Sequence, residues 1–214
     1  MCIVVDGDEP RESAPGIREA RMAFLPKGSY EILDTWHVGG LRGTGSHDIV
    51  VDEVYVPSER TYSFADPIHL HRPLYQMPFG ATLAAGCAAI CVGIAEKAIE
   101  TLLELGLSKV QIDPGPRLRD RSSVQTLVAL STAEIEAARL LLFGVVDDLW
   151  GITSQGDRVT DEQCSRLWRS VIHAARTARS IVTEMYTAAG TTALYVDSPL
   201  ERAHRDIYAV GQHM

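Results

Sequence analysis

The sequence predicts a mainly α protein, in which an up-and-down four-helix bundle follows a partial antiparallel β domain. Three observations lead to this prediction. Short apolar runs separated by turn residues fill the chain up to Arg60, which is typical of strands. After Pro73, three long runs carry apolar residues at helical spacing. A shorter helical pattern begins near Ser198.

The β part contains four candidate strands, within the runs CIVV, ARMAFLP, YEILDTW and DIVVDEVYVP. In the last run, apolar residues from Ile49 to Val56 share the strand with acidic residues, and Pro57 closes it. Three or four strands are too few to close a barrel. We therefore expect an open sheet edge that a partner or the bundle must cover, and a domain boundary between residues 62 and 63.

The first predicted helix runs from about Leu74 to Leu105 and is apolar on most of its faces. Gly80, Gly86 and Gly93 permit close approach of other helices, so this helix is expected at the centre of the bundle.

The second predicted helix opens on a capping box of Ser122 and Gln125 and ends near Gly151. Its apolar residues recur at helical spacing, so one face of the helix is expected to lie in the bundle core.

A second capping box, Thr160 and Gln163, opens the third helix, and Gly190 is placed to end it. The fourth helix begins with Ser198 as N-cap and Pro199 as its first residue. Three helices of about 30 residues favour near-antiparallel packing in an up-and-down bundle.

The composition narrows the classes of function. The net charge of −8 and the pI of about 5.3 leave no basic surface typical of nucleic-acid binding. The longest apolar run, residues 79–95, is shorter than the roughly 20 residues of a membrane span, so no membrane partner is expected. Without a signal peptide at Met1, a cytoplasmic location is expected.

Candidate metal ligands are sparse. Cys87 and Cys91 lie one helical turn apart among alanines, which indicates reduced thiols packed in the core. His69 and His71 have a spacing that a metal could use, but further ligands are missing, so no metal is expected.

The stretch GLRGTGS, residues 40–46, precedes the last candidate strand. Gly43 and Gly45 allow positive φ, and the loop offers uncovered backbone N–H groups that a ligand could approach. A plain tight turn between strands is the alternative interpretation.

Two motifs, GLRGTGSHDIVVDEVYVPSER and SPLERAHRD, stand in this order at opposite ends of the chain, with strands before the first and a long-helix bundle between them. This arrangement resembles the acyl-CoA dehydrogenase superfamily, and within it the flavin-dependent monooxygenases. The resemblance covers nearly the whole chain, but only the later part of the middle β domain and the C-terminal bundle of the family. The family's N-terminal helical domain has no counterpart here.

The resemblance implies a site for FAD or FMN, used as reduced flavin. It places Arg42 and Ser46 close to the flavin and the substrate. It matches Gly190, Thr191 and Thr192 to a turn whose backbone approaches the flavin of a neighbouring subunit. A simple helix C-cap and loop is the alternative for this turn. The Phe-Gly with which the family helps to grip the cofactor diphosphate is absent from DPGPRLRDRSS.

The dehydrogenases of the family remove a proton with a glutamate on the last or the first bundle helix. Here the segment after Asp206 reads IYAVGQHM, and no Asp or Glu lies between Asp66 and Glu96. His213 instead suits the monooxygenase branch, because an imidazole can position or deprotonate a phenol-like substrate near neutral pH. The alternative is that His213 is a terminal histidine without a catalytic role.

We therefore predict a flavin-dependent monooxygenase that hydroxylates an aromatic or polycyclic small molecule with reduced flavin and O2. A flavin reductase is the expected partner, and the family's architecture implies a homo-oligomer, either a dimer or a tetramer. An acyl-CoA dehydrogenase is one alternative function. A catalytically inactive helical-bundle module that only assembles with other chains is the other.

Overall fold

A computed structural model describes residues 2–6, 9–64, 66–110 and 115–213, without the side chain of His213. The chain divides into two compact units. The first unit lies within residues 1–38 and 42–69, and the second within residues 39–41 and 70–214. The domain boundary predicted between residues 62 and 63 stays a prediction.

The first unit consists of short antiparallel strands. They are β1 (Cys2–Ile3), β2 (Val5–Asp6), β3 (Glu9–Pro10), β4 (Glu12–Ala14), β5 (Ile17–Arg18), β6 (Ala20–Ala23), β7 (Glu31–Leu33), β8 (Asp48–Val50) and β9 (Thr61–Tyr62). One sheet has the strand order β1-β6-β9, and the other strands form the pairs β2-β3, β4-β5 and β7-β8. This arrangement agrees with the predicted partial antiparallel β domain.

The strand predicted from residue 48 to residue 56 is shorter than expected. In the ladder Leu33 pairs with Asp48 and Glu31 with Val50, and β8 ends there. At Glu53 the backbone has a φ of 45°, in the left-handed region. A strand cannot continue through that conformation, so the prediction that it reaches Val56 was wrong.

The second unit contains the helices α1 (Pro73–Gln76), α2 (Phe79–Ser108), α3 (Ser122–Ser154), α4 (Asp161–Ala189) and α5 (Pro199–Val210). Helix α2 packs on α3, α4 and α5, and α4 packs on α3 and α5, which confirms the predicted four-helix bundle. The first predicted helix is interrupted, because Pro78 holds the preceding Met77 in an extended conformation, with ψ at 147°.

The helix ends agree in part with the predictions. Thr160 and Gln163 form the predicted capping box of α4. The box predicted at Ser122 and Gln125 is absent: Arg121 is the N-cap of α3, and the Gln125 side chain donates to Arg119 O at 2.9 Å instead. Helix α3 also continues past the predicted end to Ser154.

The hydrophobic core lies among the long helices. Helix α2 supplies mainly small side chains, such as the fully buried Ala88 and Ala95, and it packs on α3, α4 and α5 as a central helix. Among the described residues, α2 is the one helix long and apolar enough to cross a membrane, a test of length and composition that core helices of soluble proteins also pass.

Candidate functional site

The turn between α4 and α5 holds three of the predicted cofactor-binding residues. Residues Gly190–Leu194 form a 3-10 turn that follows α4 directly. Gly190 has φ 59° and ψ −146°, a region essentially restricted to glycine, and it ends α4 as predicted. Gly190 and Thr191 are exposed, Thr192 is half-buried and Ala193 is fully buried. The turn is therefore anchored at Ala193 and presents its earlier residues to solvent.

A lysine outside the sequence motifs contacts this turn. Lys109, at the end of α2, donates hydrogen bonds from Nζ to the carbonyl oxygen of Ala189 and to the hydroxyl of Thr192. Its partial burial lowers the pKa of the ammonium group. Lys109 and Thr192 are 83 residues apart in the sequence, so no local sequence pattern could reveal their contact.

Helix α5 leads from this turn to the predicted catalytic histidine. Arg205 Nε lies 3.3 Å from Glu201 Oε1, and Arg202 Nε lies 3.4 Å from Asp206 Oδ2. These ion pairs form the salt-bridged helix surface expected of such charges at one-turn spacing. A 3-10 turn, Gly211–His213, follows α5, and the side chain of His213 lies outside the described part of the chain.

A small cavity lies where α5 ends. It has a volume of about 150 Å³ and is lined by Cys91 of α2, by Arg176 and Arg179 of α4, and by Ile207 and Gly211. Gly211 precedes His213 by two residues, so one wall of this cavity belongs to the segment that carries the predicted catalytic histidine.

A carboxylate base is missing from the described part of α2 that precedes Glu96. The Glu96 carboxylate faces Arg139 at 3.8 Å, so it is engaged in an ion pair on the helix surface. The described residues contain no group of three or more His, Cys, Asp and Glu side chains that could hold a metal ion.

The loop of the first unit holds the other two predicted cofactor-binding residues. Arg42 begins a 3-10 turn that ends at Thr44, and Gly45 has a φ of 55°, so the positive φ that the sequence predicted is used at this glycine. The Ser46 hydroxyl donates to Thr44 Oγ1 at 3.1 Å.

His47 gives this loop an internal structure. Its Nδ1 accepts hydrogen bonds from the backbone N–H groups of Thr35 and Trp36, both at 3.2 Å, and Asp48 N donates to Thr35 Oγ1 at 3.0 Å. A ring nitrogen that accepts in this way carries no proton, so these bonds assign the proton of neutral His47 to Nε2. The loop is thus held in place by His47, which follows the GTGS stretch, as well as by the conformation of Gly45.

The structure brings the predicted site residues together in two groups. Gly190, Thr191 and Thr192 share one turn of the second unit, and Arg42 and Ser46 share one loop of the first. The cofactor-binding roles of these five residues, like the catalytic role of His213, stay predictions.

The structure thus combines short antiparallel strands with a bundle of long helices that follows them in the chain. A family model described as the acyl-CoA dehydrogenase C-terminal domain matches residues 85–214. The chain belongs to this family.

Several curated relatives are flavin-dependent monooxygenases. The indole-3-acetate monooxygenase of Acinetobacter baumannii is 32% identical over 193 residues, which are 90% of this chain and 50% of that protein. The oxygenase subunit HsaA of Rhodococcus jostii, a flavin-dependent monooxygenase, is 32% identical in an alignment of 213 positions that covers 93% of this chain and 56% of that protein. The chain thus spans about half the length of these relatives.

Solved structures agree with this assignment of the fold. The 3-HSA hydroxylase from Rhodococcus sp. RHA1 superposes with a TM-score of 0.80 at 29% identity, over 94% of this chain and 54% of that one. XiaF from Streptomyces sp., in complex with FADH2 and glycerol, gives a TM-score of 0.81 at 22% identity, over 96% of this chain and 54% of that one. At that identity, the similarity to XiaF shows the fold alone.

Proposed function

We propose that this chain forms the C-terminal part of the oxygenase component of a flavin-dependent monooxygenase, acting on an aromatic or polycyclic small molecule. One observation carries the proposal: the family's two positions for a glutamate base hold no carboxylate, since no Asp or Glu lies between Asp66 and Glu96 or in the segment after Asp206. Relatives that are at least 30% identical and carry the name monooxygenase support the same choice.

Bound reduced flavin would supply two electrons to O2 and the C–H bond of the substrate the other two, so that one oxygen atom becomes the new hydroxyl group and the other leaves as water. The exposed Gly190 and Thr191 and the half-buried Thr192 fit a role in holding the cofactor, because they present backbone and a threonine hydroxyl to solvent at the end of α4. We assign to His213 the task of holding or accepting the proton of a phenol-like substrate.

The test uses the purified chain with FMN or FAD, each oxidised and reduced, followed by visible absorbance and flavin fluorescence. We expect binding of reduced flavin. With O2 and a phenolic or indolic acid we expect a hydroxylated product, whose added oxygen derives from 18O2 by mass spectrometry. The variant H213N should lose at least tenfold in product formation while it still binds flavin, and H71N, in an exposed loop, should match the parent chain.

Three outcomes would overturn the proposal. Anaerobic bleaching of the flavin by an acyl-CoA would indicate a dehydrogenase. No binding of any flavin would indicate an assembly module without a cofactor. Oxygen in the product that derives from water would exclude a monooxygenase. Comparison of FMN with FAD decides which flavin the chain prefers, and product formation with an added reductase tests the proposed partner.

We also propose that the chain self-associates through the outer face of α3 and α4. Leu140, Leu130 and Ile172 are 73%, 59% and 52% exposed there. An open cavity of about 780 Å³ lies between the two helices, with Arg169 and Arg176 on its α4 side. An exposed apolar face beside such a groove supports an interface between copies.

Charge complementarity supports a second copy as the occupant of this face. Arg169 and Arg176 line the groove together with Glu134 of α3, and none of these three side chains has an ion-pair partner within 4.0 Å in the described part of the chain. Sedimentation of the parent chain should give a dimer or a tetramer. L140D should shift it toward monomer, whereas L107D on α2 should not. A monomeric parent chain would overturn this proposal.

A cytoplasmic location is a proposal as well. Cys2, Cys87, Cys91 and Cys164 are free in the structure, which suits a reducing compartment. Fractionation of cells that express the native gene tests this location, and recovery of the protein outside the cytoplasm would contradict it.

A further inference from the structure

Two backbone hydrogen bonds fix the position of Lys109. Its N–H donates to Leu105 O at 3.0 Å, and its carbonyl oxygen accepts from Leu118 N at 2.8 Å. The residue is the C-cap of α2 and is half-buried. Its side chain therefore starts from a position that two backbone hydrogen bonds define.

The side chain joins the end of α2 to the end of α4. Lys109 Nζ donates to Ala189 O, at the last residue of α4, and to Thr192 Oγ1, in the turn that follows. The carbonyl groups of a final helical turn lack partners within the helix, and the negative end of the helix dipole favours a cation there. A lysine at this point thus satisfies a helix end and binds the next turn at the same time.

The two hydrogen bonds bracket Gly190. One acceptor precedes this glycine by one residue, and the other follows it by two. The Lys109 ammonium lies so close that a Cβ added at Gly190 would be 4.0 Å from Nζ. Gly190 has φ 59° and ψ −146°, which is one of several conformations that glycine adopts readily, so contacts from its surroundings must select it. Lys109 is the side chain that holds it from both sides.

The charge of Lys109 is not neutralised nearby. In the described ranges, no carboxylate lies within 4.0 Å of Nζ, and two of the three ammonium N–H groups are used by Ala189 and Thr192. The remaining positive charge lies against the turn that the proposed function assigns to the cofactor. Flavin phosphates and reduced flavins are anionic, so a cation in this position favours their binding.

We infer that Lys109 is a positioning residue of the flavin site: it holds the Gly190–Thr192 turn in the conformation that contacts the cofactor. This inference rests on the proposed function. It adds a residue that lies outside the motifs, and it assigns that residue a defined action on the Ala189 carbonyl and the Thr192 hydroxyl.

The experiment compares K109M, K109R and the control K97M in the full chain. K109M keeps the length of the side chain but removes its donors and its charge, and K109R keeps donors and charge. Lys97 lies on the same helix and pairs with Glu100 at 3.0 Å on the exposed surface. The readouts are the dissociation constant of reduced FMN and FAD, the thermal midpoint, and hydrogen exchange of the amides of residues 190–194.

We expect K109M to weaken flavin binding at least tenfold and to raise amide exchange in residues 190–194 at least tenfold relative to the amides of α4. K109R should recover flavin binding to within threefold of the parent chain, and K97M should change neither readout by more than twofold. T192V should weaken binding on its own, and combining it with K109M should add less than the sum of the two, because both act on one contact.

Three results would contradict the inference that Lys109 positions the turn for flavin binding. Unchanged exchange in residues 190–194 of K109M would show that Lys109 does not hold the turn. Faster exchange with unchanged flavin affinity would make its role purely structural, and a loss in K109R equal to that in K109M would exclude positioning by the cation. A parent chain that binds no flavin refutes the proposed function instead, and is recognised before any variant is compared.

Discussion

The hydroxyl of Thr160 accepts a hydrogen bond from the backbone N–H of Gln163 at 3.3 Å, and the Gln163 side-chain oxygen accepts one from the Thr160 N–H at 2.8 Å. This reciprocal pair begins the helix that ends at Gly190, so it sets one end of the element that carries the candidate turn.

Replacing Thr160 by alanine should lower the free energy of unfolding by about 1 kcal/mol, because one N–H of the first turn of α4 loses its acceptor. The matched control is S122A. Ser122 begins α3 but makes no capping bond, so its replacement should change the free energy by less than about 0.5 kcal/mol. Urea unfolding followed by circular dichroism measures both, and equal losses would contradict the capping role of Thr160.

Replacing Gly190 by alanine should destabilise the protein by about 1–3 kcal/mol through backbone strain, since only glycine readily adopts its φ and ψ. A clash is not the reason, because the added Cβ would meet its nearest neighbour at an ordinary 4.0 Å. The same replacement at Gly151, inside α3 with open space around it, should stabilise by roughly 0.5–1 kcal/mol. Opposite signs in thermal unfolding are expected, and a stabilising G190A would refute the strain.

At Gly40 a side chain is disfavoured by steric overlap with a neighbouring residue rather than by backbone strain. A Cβ there would lie 2.4 Å from the Cβ of Ala209 on α5, which is far inside van der Waals contact. G40A should therefore cost about 1–3 kcal/mol of unfolding free energy.

The double variant G40A/A209G tests this directly, because removing the opposing methyl relieves the overlap. It should be more stable than the sum of the two single variants predicts, by at least about 0.5 kcal/mol. Additive losses in urea unfolding would mean that the two positions do not meet.

Burial raises the pKa of the Cys91 thiol to about 11. Because the thiol of the unfolded chain ionises at a lower pH, the folded state binds the proton more tightly between about pH 9 and pH 11. Cys91 should therefore make stability fall as the pH rises through this range, and leave it unaffected below. C91A should show a shallower fall than the parent chain in urea unfolding, and an identical slope would contradict the shift.

The same burial protects Cys91 from alkylation. At pH 8 iodoacetamide should modify the exposed Cys2 in the native protein and leave Cys91 free until urea is added. Peptide mass spectrometry identifies the modified residues, and modification of native Cys91 at the rate of Cys2 would contradict its burial.

Patterns within a few turns of the chain predicted most of the bundle. The helical spacing of apolar residues indicated α3 and α4, and the Thr160 box and Gly190 gave both ends of α4, because caps and C-terminal glycines act on groups three or four residues away. The same kind of pattern was misleading at Ser122, where the Gln125 side chain binds Arg119 O instead. It also missed the turn at Glu53, because a positive φ at an acidic residue has no local signal.

The sequence by itself determined the class of fold, the positions of the long helices, the glycine that ends α4 and the absence of a carboxylate between Asp66 and Glu96. These features depend on residue type and on spacing within one element. The tertiary structure alone decided that Lys109 reaches Ala189 and Thr192, and that Gly40 faces Ala209. Such contacts join residues 80 or more positions apart, and their partners are set by how the elements pack rather than by any pattern along the chain.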